Sequence, residues 1–129
     1  MKGILHHIEF YVSDLEKSKN FWGWLLVELG YEKYQEWNNG ISFKLEDTYL
    51  VFVQTEDKYL DLKYHRKTTG LNHLAFHLNS HEMLNEFTQK LKERDISILY
   101  EEKHPFSGGK EHYAVFFEDP DRIKVELVG

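Results

Sequence analysis

The chain has 129 residues, a mass of 15.5 kDa and a formal net charge of −6 from 16 basic and 22 acidic side chains. That length suits one ordinary domain, or two half-sized modules that share a core. The charges are spread without long like-charge blocks, which argues against a nucleic-acid partner, and no apolar run is long enough to span a membrane. Cysteine is absent, so disulfides and thiolate ligation are excluded and any bound metal must use nitrogen and oxygen donors.

The opening stretch, MKGILHHIEF, has too short an apolar run and too early a polar face for a signal peptide, so a cytoplasmic location is expected. Strand side chains alternate between faces, which puts His7, Glu9 and Tyr11 on one side and Ile8, Phe10 and Val12 on the other. Ser13 and Glu16 then stand at capping-box spacing. A helix is predicted over 15–29, with an apolar stripe of Leu15, Trp22, Leu25, Leu26 and Leu29 and with Gly30 just past its end. Strands follow at 32–37, 41–45 and 49–54, separated by turns at Asn38-Asn39-Gly40 and Glu46-Asp47. Residues 55–70, polar and weakly periodic, read as a connection.

The plan then repeats: a strand at 71–78, an Asn79 cap with Glu82 three residues on, and a helix to Arg94 carrying Met83, Leu84, Phe87 and Leu91. Strands are expected at 96–100, 112–117 and 123–128, with KHPFSGGKE as a mobile flap before the second of them and Glu118-Asp119-Pro120-Asp121 as a tight turn after it. A shift of 66 positions matches His7 to His73, Ile8 to Leu74, Phe10 to Phe76, Val12 to Leu78, Phe21 to Phe87 and Leu25 to Leu91. An internal duplication of a βαβββ module, 1–54 and 71–129 joined by 55–70, explains that agreement.

The chemical residues fall on one face of each repeat. His7 and His73 are mates under the duplication, and Glu126 alternates with the apolar pair Val125 and Leu127 on a strand expected inside its sheet. An unpaired carboxylate there would be costly. Two histidines and one carboxylate from three strands form a facial set for a divalent cation, with positions left for substrate or water. Glu9, two positions from His7, is a candidate general base or ligand-orienting group. Counting back across the last turn gives His112, Ala114 and Phe116 an inward face, which makes His112 a candidate acid or base. Tyr11 and His77 are mates on the walls. His6, His65, His81 and His104 are placed at the surface or in loops, and Trp22, Trp24 and Trp37 in the core or an interface.

The chain resembles the vicinal oxygen chelate superfamily of glyoxalase I, fosfomycin-resistance proteins, methylmalonyl-CoA epimerase, extradiol dioxygenases and bleomycin-resistance proteins. The resemblance rests on HHIEFYVSDLEKSKNFW, GLNHLAFHL and FFEDPDRIKVELVG and covers nearly the whole length. It implies an α+β fold of two βαβββ modules whose mixed sheets curl into a cup, often completed in a homodimer, with His7, His73 and Glu126 as metal ligands. It also implies a small-molecule substrate chelated through neighbouring oxygens to Zn, Ni, Mn, Co or Fe, and lyase or isomerase chemistry through a metal-stabilised enediolate. A non-haem Fe(II) dioxygenase and a non-catalytic drug- or metabolite-binding protein are the alternatives.

Two departures from the family pattern matter. Arg122 stands where glycine often follows Asp-Pro-Asp, and either alters the turn or reaches an acidic partner. The strand that mirrors the last one offers Phe52 or Gln54 where glyoxalase I has a further ligand, so a three-ligand site is favoured, with Gln54 and Phe116 lining the substrate space. Bleomycin-resistance proteins lack the metal ligands, and retention of all three here argues against pure sequestration.

Overall fold

The computed structural model describes residues 1–129, which divide into two compact units, 1–63 and 64–129. The division falls inside the segment expected to connect the repeats, giving 55–63 to the first unit and 64–70 to the second.

The first unit runs β1 (His7–Val12), α1 (Leu15–Glu28), β2 (Glu32–Trp37), β3 (Gly40–Leu45) and β4 (Thr48–Gln54). Its sheet has the order β1-β4-β3-β2, with β1 parallel to β4 and the other neighbours antiparallel. The second repeats this as β5 (His73–His77), α2 (His81–Glu93), β6 (Ile98–Leu99), β7 (Ala114–Glu118) and β8 (Lys124–Val128), in the order β5-β8-β7-β6. Two glyoxalase-like βαβββ modules with mixed sheets are thus present. In each, the parallel pair requires a crossover, and the helix lies within it.

Strand parity holds. Phe10 and Val12 are buried while His7, Glu9 and Tyr11 are exposed, so the apolar face turns to α1 and the chemical face away from it. Phe10 stacks on Phe52 at 5.4 Å and Trp22 on Phe52 at 5.0 Å, and Leu25 and Leu26 are fully buried. Stacked aromatic layers of this kind bury a large apolar area per residue. In the second unit Leu84 and Leu91 of α2 and Val115, Phe117, Val125 and Leu127 of the sheet are wholly buried.

The element ends differ from expectation for local reasons. Asp14, not Ser13, caps α1, its carboxylate accepting from the Lys17 N–H, and Ser80, not Asn79, caps α2 by accepting from the Met83 N–H. In both cases two polar residues precede the helix and the one nearer to it wins. β6 stops at Leu99 because Tyr100 turns into the left-handed region at φ 55°. His112 lies before β7 and not in it: its N–H bonds the Gly109 carbonyl and closes a turn over the glycine pair.

Gln54 also departs from its expected place on the substrate face. It pairs with Val12 and so shares the helix-side face; its Oε1 accepts from the Leu15 N–H at 2.9 Å and its Nε2 donates to the Ser13 carbonyl at 2.8 Å. It therefore stitches the β1–α1 junction and satisfies a helix N–H that nothing inside the helix can reach. Phe52, in the core, is equally unavailable as a ligand. Gln54→Ala is expected to lower unfolding free energy in urea by about 1–2 kcal/mol without changing metal affinity.

His104 is half-buried, with its Nδ1 enclosed and unpartnered. Burial first, then the Lys92 charge, pulls its pKa below the ordinary 6.5. The folded state therefore binds this proton less readily than the unfolded one, so its contribution is full above pH 6.5 and is lost as pH falls below it. Urea unfolding at pH 7.5 and 5.5 should show a smaller acid loss for His104→Gln than for the parent.

Candidate metal centre

The second unit builds its site on the face of the sheet opposite α2. The ladders place Ala75 beside Glu126 and Phe116 on its other side, so all three share one face, with His73 one row away beside Lys124. β8 is an inner strand, and Glu126 is accordingly only 5% exposed. Two imidazoles meet its carboxylate. The Nε2 of His73 lies 3.0 Å from Oε2, and the Nε2 of His112 contacts Oε1. Phe116, itself buried, stands edge-on to His73 with ring centroids 6.2 Å apart.

His73 is held at both nitrogens, since its Nδ1 lies 2.7 Å from the Asn72 Oδ1. With Nδ1–H donated to that carbonyl oxygen, a neutral ring presents the Nε2 lone pair to the carboxylate. Two lone pairs face each other unless a positive charge stands between them, either a proton or a metal ion. Fixing Nδ1 from behind is also how proteins orient a metal-ligating imidazole. The donor set, nitrogen and oxygen without sulfur, suits a borderline or hard divalent cation. No group of three or more histidine, aspartate or glutamate side chains in the chain is arranged as a set that could hold a metal ion.

In the first unit, His7 is exposed at the start of β1. Its ring stacks on Tyr49 at 4.8 Å with an interplanar angle of 5°, and its Nδ1 lies 2.8 Å from His6 Nδ1. Its Nε2 is left for another partner. Glu9 is exposed beside Val51, and Tyr11, 66% exposed, borders a cleft of about 180 Å³ with Thr55, Glu56 and Tyr59. Val51, not Phe52 or Gln54, mirrors Glu126: it faces Glu9 across the ladder as Glu126 faces Ala75.

Of the residues expected from sequence, the second unit brings His73, His112, Glu126 and Phe116 together, and His77 lies one row beyond on the same face. Sequence reasoning missed His6 and Asn72, which hold the Nδ1 atoms of His7 and His73. The signal was available, since His6 and Asn72 are themselves 66 positions apart. It also missed Gly108: a Cβ there would stand 2.5 Å from the His112 ring, so only glycine lets that imidazole pack into place.

The sequence matches the profile of the Glyoxalase/Bleomycin resistance protein/Dioxygenase superfamily over residues 4–127. The chain belongs to this superfamily. One relative is the uncharacterized protein YqjT of Bacillus subtilis (strain 168), 57% identical over 124 residues, covering 96% of this chain and 97% of that one. The crystal structure of a candidate glyoxalase from Bacillus halodurans superposes with a TM-score of 0.97 at 63% identity, covering 98% and 96% of the two chains. Glutathione transferase FosA of Serratia marcescens is 28% identical over 124 residues, 95% of this chain and 78% of that one. Membership of the glyoxalase superfamily supports metal-dependent chemistry of its general type.

A buried ion pair is often no more stabilising than packed apolar side chains of similar volume, and the two imidazoles that Glu126→Leu would leave without a carboxylate partner are 34% and 42% exposed and so remain in reach of water. Glu126→Leu is expected to leave the metal-free protein as stable as the parent within about 1 kcal/mol in urea while abolishing metal binding. A loss above about 3 kcal/mol would make Glu126 a stability residue.

Proposed function

We propose that the chain is a divalent-metal-dependent enzyme that binds a small metabolite through two neighbouring oxygens and moves a proton beside a carbonyl, as a lyase or isomerase. The observation that carries this reading is the His73 Nε2 facing the buried Glu126 carboxylate while Asn72 holds its Nδ1. His73 and Glu126 are proposed as ligands with His7 as the third, supplied by the same chain or by a second copy in a homodimer.

When bound, the metal supplies Lewis-acid stabilisation of developing oxygen charge, an effect worth several kcal/mol. The chain's own groups do the rest. Glu126 brings negative charge and is kept from water by the inner strand; Asn72 holds the His73 imidazole in one tautomer and orientation, and His6 holds the orientation of His7. His112, touching the carboxylate at the open edge of the site, takes and returns the substrate proton. Glu9, exposed on the ligand face of β1, is the second candidate for that proton. Phe116 excludes water from one flank of His73, and Tyr11 and His77 provide hydrogen-bonding wall positions.

Elemental analysis of tag-free protein, as isolated and after reloading with Zn, Ni, Mn, Co or Fe, tests this. One tightly bound ion per chain is expected, lost in His7→Ala and His73→Ala and retained in His112→Gln. Reloaded parent without metal, or an unchanged His73→Ala, would overturn the site in favour of a metal-free binding protein. Oxygen uptake by the iron form would shift the chemistry to oxygenation.

A further inference from the structure

The Glu126 face carries a second group of residues that metal binding and proton transfer leave unused. Lys124 sits two positions before Glu126 on β8, on the same face and about 6.6 Å along the strand. The carboxylate placed to neutralise it is Glu118, directly opposite across the β7–β8 ladder. Both oxygens of Glu118 are already engaged: Oε1 with Arg66 at 3.2 Å and Oε2 with Arg122 at 3.0 Å. Two cations therefore share one carboxylate, and the Lys124 ammonium has none.

What Lys124 does have is an aromatic wall. Its Nζ lies 5.6 Å from the centroid of Tyr100 and 5.7 Å from that of Phe116, and 3.5 Å from the Tyr100 hydroxyl. The rings hold the lysine stem and enclose it on one side without supplying a negative charge. Since the phenol oxygen accepts from Lys124, the Tyr100 O–H remains a donor with no acceptor in the chain. Two donors, one of them charged, thus converge beside the carboxylate of the reaction centre.

The backbone supports the same place. Tyr100 has φ 55° and Arg122 φ 67°, both in the left-handed region that bulky side chains avoid. Arg122, like Glu46 and Asp95, sits in a tight turn or at a helix end, where that conformation is routine, whereas Tyr100 follows the last residue of β6. Strain of this kind persists where surrounding structure enforces a functional arrangement. At that position the Tyr100 ring lies beside Lys124.

We propose that Lys124 and Tyr100 form a subsite for an anionic oxygen group of the substrate, a carboxylate or a phospho group, while Arg66 and Arg122 keep Glu118 from neutralising Lys124. A charge-assisted contact from the ammonium and a hydrogen bond from the phenol match such a group. The substrate is then a small oxyacid whose anionic end rests on Lys124. This deepens the metal-enzyme reading and rests on it for taking Glu126 as the reacting centre.

The test is titration of the full chain with inorganic phosphate and, separately, with sodium acetate, followed by two-dimensional amide NMR at constant ionic strength. Saturable shifts are expected at residues 98–102 and 122–126. Lys124→Gln should weaken the better-binding anion by about tenfold or more. Lys124→Arg should keep it within about threefold, because the charge survives. Preference for phosphate or for acetate identifies the phospho group or the carboxylate. No saturable binding, or equal affinity in Lys124→Gln, overturns the subsite. Calorimetric metal titration of the same proteins keeps the two readings apart. Metal binding intact with anion binding indifferent to Lys124 sinks the subsite alone, whereas anion binding lost in Lys124→Gln with no metal bound by the parent upholds the subsite and removes the metal.

Discussion

The phase of the parallel ladder in each unit decides which residues can meet. β1 against β4, and β5 against β8, put every second residue of two distant segments on one face, and a slip of one residue would exchange the apolar and chemical sets completely. The helix side enforces the phase, because Phe10, Val12, Val125 and Leu127 have to be covered. The opposite side inherits it. His73, Glu126 and Phe116 share a face because their neighbours in sequence are required by the core.

The same phase shows how the two modules differ. Ala75 and Glu9 occupy equivalent positions on the first strand of each sheet, and Glu126 and Val51 equivalent positions on the partner strand. The carboxylate of the first unit is thus on an edge strand and exposed, while that of the second is on an inner strand and buried. One side chain chemistry acquires two electrostatic environments from strand order alone. The exposed one is open to water; the buried one is met by the imidazoles of His73 and His112.

Much of this was legible in the sequence because alternation in a strand has a period of two and the repeat doubles the signal. The two helices, the parity of β1 and β5 and the inward direction of Glu126 follow from those patterns. The misreading of Gln54 depends on a pairing that no local pattern contains. Whether Gln54 faces the site or the helix depends on the register of β4 against β1, and with Val12 opposite it faces the helix. The cap positions depend on which of two adjacent polar residues reaches the first turn. His112 was correctly directed inward although it lies outside β7, because Gly108 allows its ring to fold over the loop.

Arg122 shows how a local irregularity is explained by a distant pairing. In the turn Asp119-Pro120-Asp121-Arg122, Asp119 Oδ1 accepts from the N–H groups of Asp121 and Ile123, which closes the loop tightly and forces the residue between β7 and β8 to a positive φ. Glycine would adopt that conformation without strain. Arginine there is a poorer choice for the turn, and propensity alone gives no account of it. The account comes from Glu118, four positions earlier, whose second oxygen receives the Arg122 guanidinium while Arg66 takes the first. With both oxygens engaged, Glu118 makes no ion pair with Lys124 across the ladder. The strained turn is thus linked to the site through one shared counter-ion: the Arg122–Glu118 ion pair offsets the unfavourable backbone and keeps Glu118 engaged beside Lys124.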